Sequence, residues 1–194
     1  MKHVTLLLAL AVVLGLCAGC AGKTADIDLF DTVCTADEAL SAAKEARVVV
    51  IEGLQCTSGK DVWDAFYKTV SAGKQAKVLC ARYYTLNPDG MSAELYEQEK
   101  DQYPRLFFCL LQYDGKTYTV TVRKSDEAEP EHQDTFPYLL HLTGDAPPTG
   151  IYATYDNYVL LDDPTATWEG IEAGIFSSQF GAGYRHYTVY SDYR

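Results

Sequence analysis

The sequence predicts a single α+β domain with a mixed, mostly antiparallel β-sheet, one βαβ crossover and three to four short helices. Three observations lead there. A β-branched run (Arg47 to Gly53), an amphipathic stretch (about Lys60 to Ala72) and a second strand-like run (Ala76 to Thr85) follow in succession. A short helix between two strands implies a right-handed crossover onto a parallel neighbour. Asp114-Gly115 then sits between two β-rich runs, a strong hairpin signal, and the remainder alternates short strands with turns around one more helix.

Each element has a local reason. Thr35-Ala36-Asp37-Glu38 fits a capping box and starts a helix to about Ala46. Thr57 or Ser58 caps the second helix, whose Val62, Phe66, Tyr67 and Val70 share a face and which Gly73 closes. Asn87-Pro88-Asp89-Gly90 reads as a turn, and Ser92 to about Lys100 as an exposed helix. With a two-residue loop at Asp114-Gly115, Leu111 faces Tyr118, Cys109 faces Val120 and Phe107 faces Val122, an apolar core face. The other face, carrying Phe108 and Leu110 against Thr121 and Thr119, is expected to be at most partly covered. Ser125 to Thr135 reads as an acidic loop. Tyr138 to Leu142, Ile151 to Tyr155 and Tyr158 to Asp162 read as strands, the last two joined by an Asp156-Asn157 turn. Asp163 or Thr167 caps a helix carrying Trp168, Ile171 and Ile175, and Tyr184 to Tyr190 forms a final strand.

The first residues have a different character. Lys2 is basic, Val4 to Leu16 is apolar, and Ala18-Gly19 are small. That apolar run is too short to span a bilayer as a helix and suits a signal segment. Leu16-Cys17-Ala18-Gly19-Cys20 resembles the lipobox of bacterial lipoproteins, with the leucine one place further back than usual. The resemblance implies cleavage before Cys20 and a diacylglyceryl group on its thiol. Two acyl chains suffice for stable anchoring where one does not. The expected organisation is a signal over 1–19, a lipidated Cys20 with a polar tether to Asp28, and the domain over 29–194, at the outer face of the cytoplasmic membrane.

Charge narrows the partners. The chain carries 16 Lys and Arg against 27 Asp and Glu, a net charge of −11. Losing the signal removes only Lys2 from that balance. Such a chain repels phosphate backbones and anionic headgroups, which argues against nucleic acid and against a polybasic membrane patch.

Four cysteines remain besides Cys20: Cys34, Cys56, Cys80 and Cys109. Outside the cytoplasm they can pair, in three ways. Placement favours Cys34 with Cys56, which flank a helix–strand unit and would meet at one end if its two elements pack antiparallel. Cys80 with Cys109, and four reduced thiols, stay open.

No catalytic motif is complete. Gly53 to Asp61 follows a strand and opens a helix, but a phosphate loop needs four residues between its glycines and a hydroxyl after the lysine. Here there are five, and Asp61 follows Lys60. Cys56 near a helix start could be an activated thiol, yet no signature ties it to His132, His141 or His186. Asp126, Glu127, Glu129, Glu131 and Asp134 lack the spacing of a calcium loop. No serine sits in a Gly-x-Ser-x-Gly setting. The fifteen tyrosines suit strands, and an exposed row of them would make a recognition surface.

Two stretches carry a further likeness. Val62-Trp63-Asp64-Ala65-Phe66 through Gly73-Lys74 to Val78–Thr85, and Tyr158-Val159-Leu160-Leu161 through Thr167-Trp168-Glu169-Gly170-Ile171 to Ser177-Ser178, resemble small lipoproteins of Gram-positive bacteria grouped in a domain family of unknown function. That resemblance implies no activity, cofactor or site residue. The expectation is a non-catalytic binding module that is held to the membrane through Cys20 and meets an envelope protein or wall ligand. No catalytic residue, metal or cofactor is assigned. The alternative is a cell-envelope hydrolase using a carboxylate pair or Cys56.

Overall fold

Thr35 and Glu38 close the capping box reciprocally. The Glu38 amide donates to Thr35 Oγ1 at 3.4 Å, and the Thr35 amide to Glu38 Oε2 at 3.0 Å. The structure, a computed structural model, describes residues 25–147, 150–177 and 183–194. The expected signal and Cys20 lie outside the described residues. The expected tether runs into helix α1 (Ala25–Asp31), whose Phe30 is buried beneath the sheet. Helix α2 (Ala36–Glu45) follows the capping box.

Strand β1 (Val49–Glu52) turns at Gly53-Leu54 into β2 (Gln55–Ser58), a hairpin not expected from the sequence. Gly53 supplies the positive φ of 62° that the tight turn needs. Helix α3 (Lys60–Ser71) then starts at Gly59 with no side-chain cap, in place of Thr57 or Ser58. A Cβ on Gly59 would lie 2.5 Å from the Val48 carbonyl oxygen, so only glycine fits. Strand β3 (Ala76–Tyr84) runs parallel to β1, giving the predicted crossover.

A short 3-10 turn and the exposed helix α4 (Ala93–Glu99) lead to β4 (Arg105–Tyr113) and β5 (Tyr118–Lys124). Their register differs from the expectation by two residues. Tyr113 faces Tyr118, Leu111 faces Val120 and Cys109 faces Val122. Asp114 is the cause: its Oδ1 accepts from the amides of Lys116 and Thr117, both at 2.8 Å, and draws four residues into the loop. A shift of two preserves which side chains share a face, so the core face is as predicted. The opposite face is partly covered, as expected at Leu110, Thr119 and Thr121, but α1 and α2 bury Phe108 completely.

The acidic loop shortens to 125–131, since β6 (His132–Phe136) pairs with β5. Beyond Pro137 the chain enters a second sheet of β7 (Tyr138–Asp145), β8 (Thr154–Leu161) and β9 (His186–Tyr193), all antiparallel. Asp156 and Asn157, expected to turn, lie inside β8, and Asn157 is fully buried. Helix α5 (Trp168–Ile175) begins at Thr167, whose Oγ1 accepts from the Gly170 amide.

The layers follow. One face of the six-stranded sheet, ordered β2-β1-β3-β4-β5-β6, carries α1 and α2. The other carries α3 and the three-stranded sheet, and α5 covers the outer side of that sheet. The fold is a single α+β domain with five helices and nine strands among the described residues. In its core Trp63 is fully buried, stacked on Tyr190 at 4.9 Å and edge-on to Tyr158 at 5.0 Å. A fully buried side chain of this kind is worth about 1.5–3 kcal/mol.

Candidate functional site

Along β3, side chains of Val78 and Cys80 enter the core beneath the second sheet. Strand parity puts Arg82 and Tyr84 next on that same face. Their partners on β4 are Phe107 and Arg105, and β5 and β6 contribute Val122 and His132, which face each other. The cover runs out here. The start of β9 reaches over, with Arg82 Nη1 donating to the Thr188 carbonyl. The result is a cavity of about 300 Å³ lined by these residues together with Tyr103, Glu131 and Tyr187.

Its walls are aromatic. Tyr84 meets Phe107 edge-on at 6.0 Å, and His132 meets Tyr187 at 5.8 Å. The Tyr187 hydroxyl lies 3.0 Å from Cys109 Sγ. Burial is the main force holding the pKa values of both groups above their ordinary ranges, so neither carries charge at neutral pH. Arg82, Arg105 and the exposed Glu131 bring formal charge to the lining.

The two arginines differ. Arg105 is held by its own loop: Nε donates to the Gln102 carbonyl at 2.9 Å, the guanidinium lies 4.6 Å from the centre of the Tyr103 ring, and Glu99 stands 4.0 Å away. Among the described residues no carboxylate is in ion-pair range of Arg82, and its Nε is enclosed without a hydrogen-bond partner. An enclosed unpaired donor costs about 1–3 kcal/mol. A guanidinium with unused donors in an apolar setting is built to receive an anion.

The residues singled out from the sequence fall elsewhere. Cys34 packs on the α1–α2 face and Cys56 on the opposite face, and all four described cysteines are free, so the expected Cys34–Cys56 pairing is not formed. Two faces of one sheet separate the thiols, because β2 pairs back on β1 and turns Cys56 toward β9. The Cys56 thiol donates to the Ser58 carbonyl at 3.3 Å, and burial foremost pushes its pKa up. Cys80 and Cys109 face each other across β3 and β4, deep in the core.

None of the histidines pairs with Cys56 among the described residues. His141 Nε2 lies 2.7 Å from Asp156, its ring stacked on Tyr158, and His186 Nδ1 lies 2.8 Å from the Tyr184 carbonyl. Lys60 bridges to Asp64 at 2.8 Å on its own helix. The acidic segment is dispersed: Asp126 and Glu127 meet Lys124, and Asp134 meets Arg185. Among the described residues no group of three or more His, Cys, Asp or Glu could hold a metal. Of the tyrosines, Tyr118, Tyr158 and Tyr190 are buried, whereas Tyr84, Tyr103 and Tyr187 line the cavity.

Sequence reasoning missed Arg82 and Arg105. A signal existed for Arg82: it stands two residues after Cys80, so parity alone puts a cation on the core face of an apolar strand. Comparison of the chain with protein-family models, with curated proteins and with solved structures returned no match.

Proposed function

We propose that the chain is an extracytoplasmic lipoprotein, attached to the outer face of the membrane through Cys20, whose domain binds a ligand without transforming it. Support for the attachment is the Ala18-Gly19-Cys20 stretch behind a short apolar run; no described helix is long and apolar enough to cross a membrane. The observation that carries the binding reading is Arg82, a cation with no carboxylate in ion-pair range among the described residues, set in an aromatic cavity at the open end of the sheet. Binding sites combine apolar walls with a few placed polar groups in this way.

Thiol chemistry at Cys56 is the weaker reading, since its proton is held by burial and its bond goes to a backbone carbonyl. Expression of Cys20→Ala tests the tether. The variant is expected in the medium, folded; a variant that stays with the membrane overturns the lipoprotein reading. Pull-down of the tethered chain from its own envelope tests the binding role. A specific partner or ligand is the expected recovery, and none counts against it.

A further inference from the structure

We infer that the cavity around Arg82 binds a small monocarboxylate whose body is flat and apolar, the carboxylate meeting the guanidinium and the ring lying among Tyr84, Phe107 and Tyr187. This rests on the binding-module reading and gives it a ligand class.

Unused hydrogen-bond donors select the head group. Arg105 already has Glu99 at 4.0 Å and the Gln102 carbonyl at 2.9 Å. Arg82 has no carboxylate in ion-pair range, an enclosed Nε without a partner, and a single protein acceptor, the Thr188 carbonyl, among the described residues. A carboxylate on the ligand supplies the acceptors it lacks. A planar carboxylate matches the guanidinium fork. Glu131, which also lines the cavity, repels negative charge on a ligand, and a phosphate dianion about twice as strongly as a carboxylate.

The walls select the body. Phe107 and Val122 supply apolar surface, and Tyr84 and Tyr187 add ring faces or edges. A volume of about 300 Å³ suits one ring with a short side chain rather than an extended polymer. The setting also explains how so acidic a chain, at −11 overall, can hold an anion. The guanidinium is recessed, where its field is less screened than at the surface.

The test titrates the full chain in detergent micelles with phenylacetate, its neutral isostere phenylacetamide, and phenyl phosphate. NMR shifts of the Arg82 guanidinium and the cavity tyrosines report binding. Phenylacetate is expected to move the Arg82, Tyr84 and Tyr187 signals and to bind about tenfold or more tightly than the amide, the value of one charge-assisted pair. Arg82→Met is expected to abolish that preference, with circular dichroism verifying its fold. Equal affinity for acid and amide overturns the inference without recourse to any variant. So does tighter binding of phenyl phosphate, which would assign the site to dianions. If no probe binds while the envelope pull-down recovers a specific partner, the binding-module reading stands and the carboxylate site falls.

Discussion

Two arginines enter the six-stranded sheet from opposite faces, and they are treated in opposite ways. Arg123, 1% exposed, sits between the Phe30 and Phe108 rings at 5.5 and 5.6 Å. Its Nε donates to the Phe30 carbonyl at 2.6 Å, its Nη2 to Thr32 at 2.8 Å, and its Nη1 to Lys124 at 3.0 Å and to Glu127. These carbonyls close the end of α1 and the loop after β5 around one cation. Arg82 has the Thr188 carbonyl and an enclosed Nε with no partner. A buried polar group that is fully satisfied is an element of the fold. One left half-satisfied in a cavity is a reason to look for a ligand.

The largest expected effect breaks this comparison if it is wrong. Arg123→Met should destabilise the protein by about 3–5 kcal/mol, because several buried carbonyls lose their donor together. Arg82→Met should cost under about 1 kcal/mol, since it frees one carbonyl while removing an unpaired donor. Urea denaturation of both variants measures this. Equal losses would make Arg82 a structural residue and remove the argument for its cavity.

Next in size is the packing beside each arginine. Phe30→Ala should cost about 3 kcal/mol, because Phe30 is nearly fully buried and shields Arg123. Phe107→Ala, at a half-buried cavity wall, should cost roughly half of that or less. Thermal denaturation midpoints rank the two, and a reversed order would mean that the open end is as tightly packed as the closed one.

The contrast also marks what could be read in advance. Thr35 and Glu38, the crossover strands and the core face of the β4–β5 hairpin were legible because each depends on neighbours a few residues apart. The β1–β2 hairpin was not, for Gln55 to Ser58 is polar and gains its pairing only from β1 beside it. Continuity of β8 through Asp156 and Asn157 was hidden for a similar reason. Local turn propensity there yields to pairing with β7 and β9 on both sides. The cavity was least legible of all, since it exists only where Thr188 lies over Arg82, 106 residues away. Arg82's parity could have flagged the cation, but nothing in its own strand says that the cover stops there.

A smaller effect reads the two faces through pH. Tyr83, on the α2 face, donates to Asp37 Oδ1 at 2.7 Å, whereas Tyr118 of β5 and Tyr158 of β8 belong to the core between the two sheets. Burial first, and for Tyr83 that hydrogen bond next, raises each from an ordinary 10 to about 12. The folded state thus favours the neutral phenol. This stabilisation is complete below pH 10 and is lost as pH rises through about 12. Denaturation midpoints should fall across that window, together with the rise in tyrosinate absorbance. Tyr83→Phe should flatten the α2-face share of the loss and leave the response of Tyr118 and Tyr158 in place.

The smallest effect concerns the hairpin that joins the two regions, since β5 carries Arg123 on one face and Val122 on the other. Asp114 fixes its register by accepting from the Lys116 and Thr117 amides, and those two bonds hold its pKa below the ordinary carboxylate range. The sign is opposite to that of the tyrosines. Its contribution is present above the ordinary carboxylate value and is lost as pH falls through the lowered one. Asp114→Ala should leave the fold intact, speed amide exchange at Lys116 and Thr117, and remove that part of the acid sensitivity. A slip of one residue would exchange the two faces of β5 and send Arg123 toward the wrong layer. Unchanged exchange in the variant would mean that the buried arginine itself, rather than the turn, holds the strand in place.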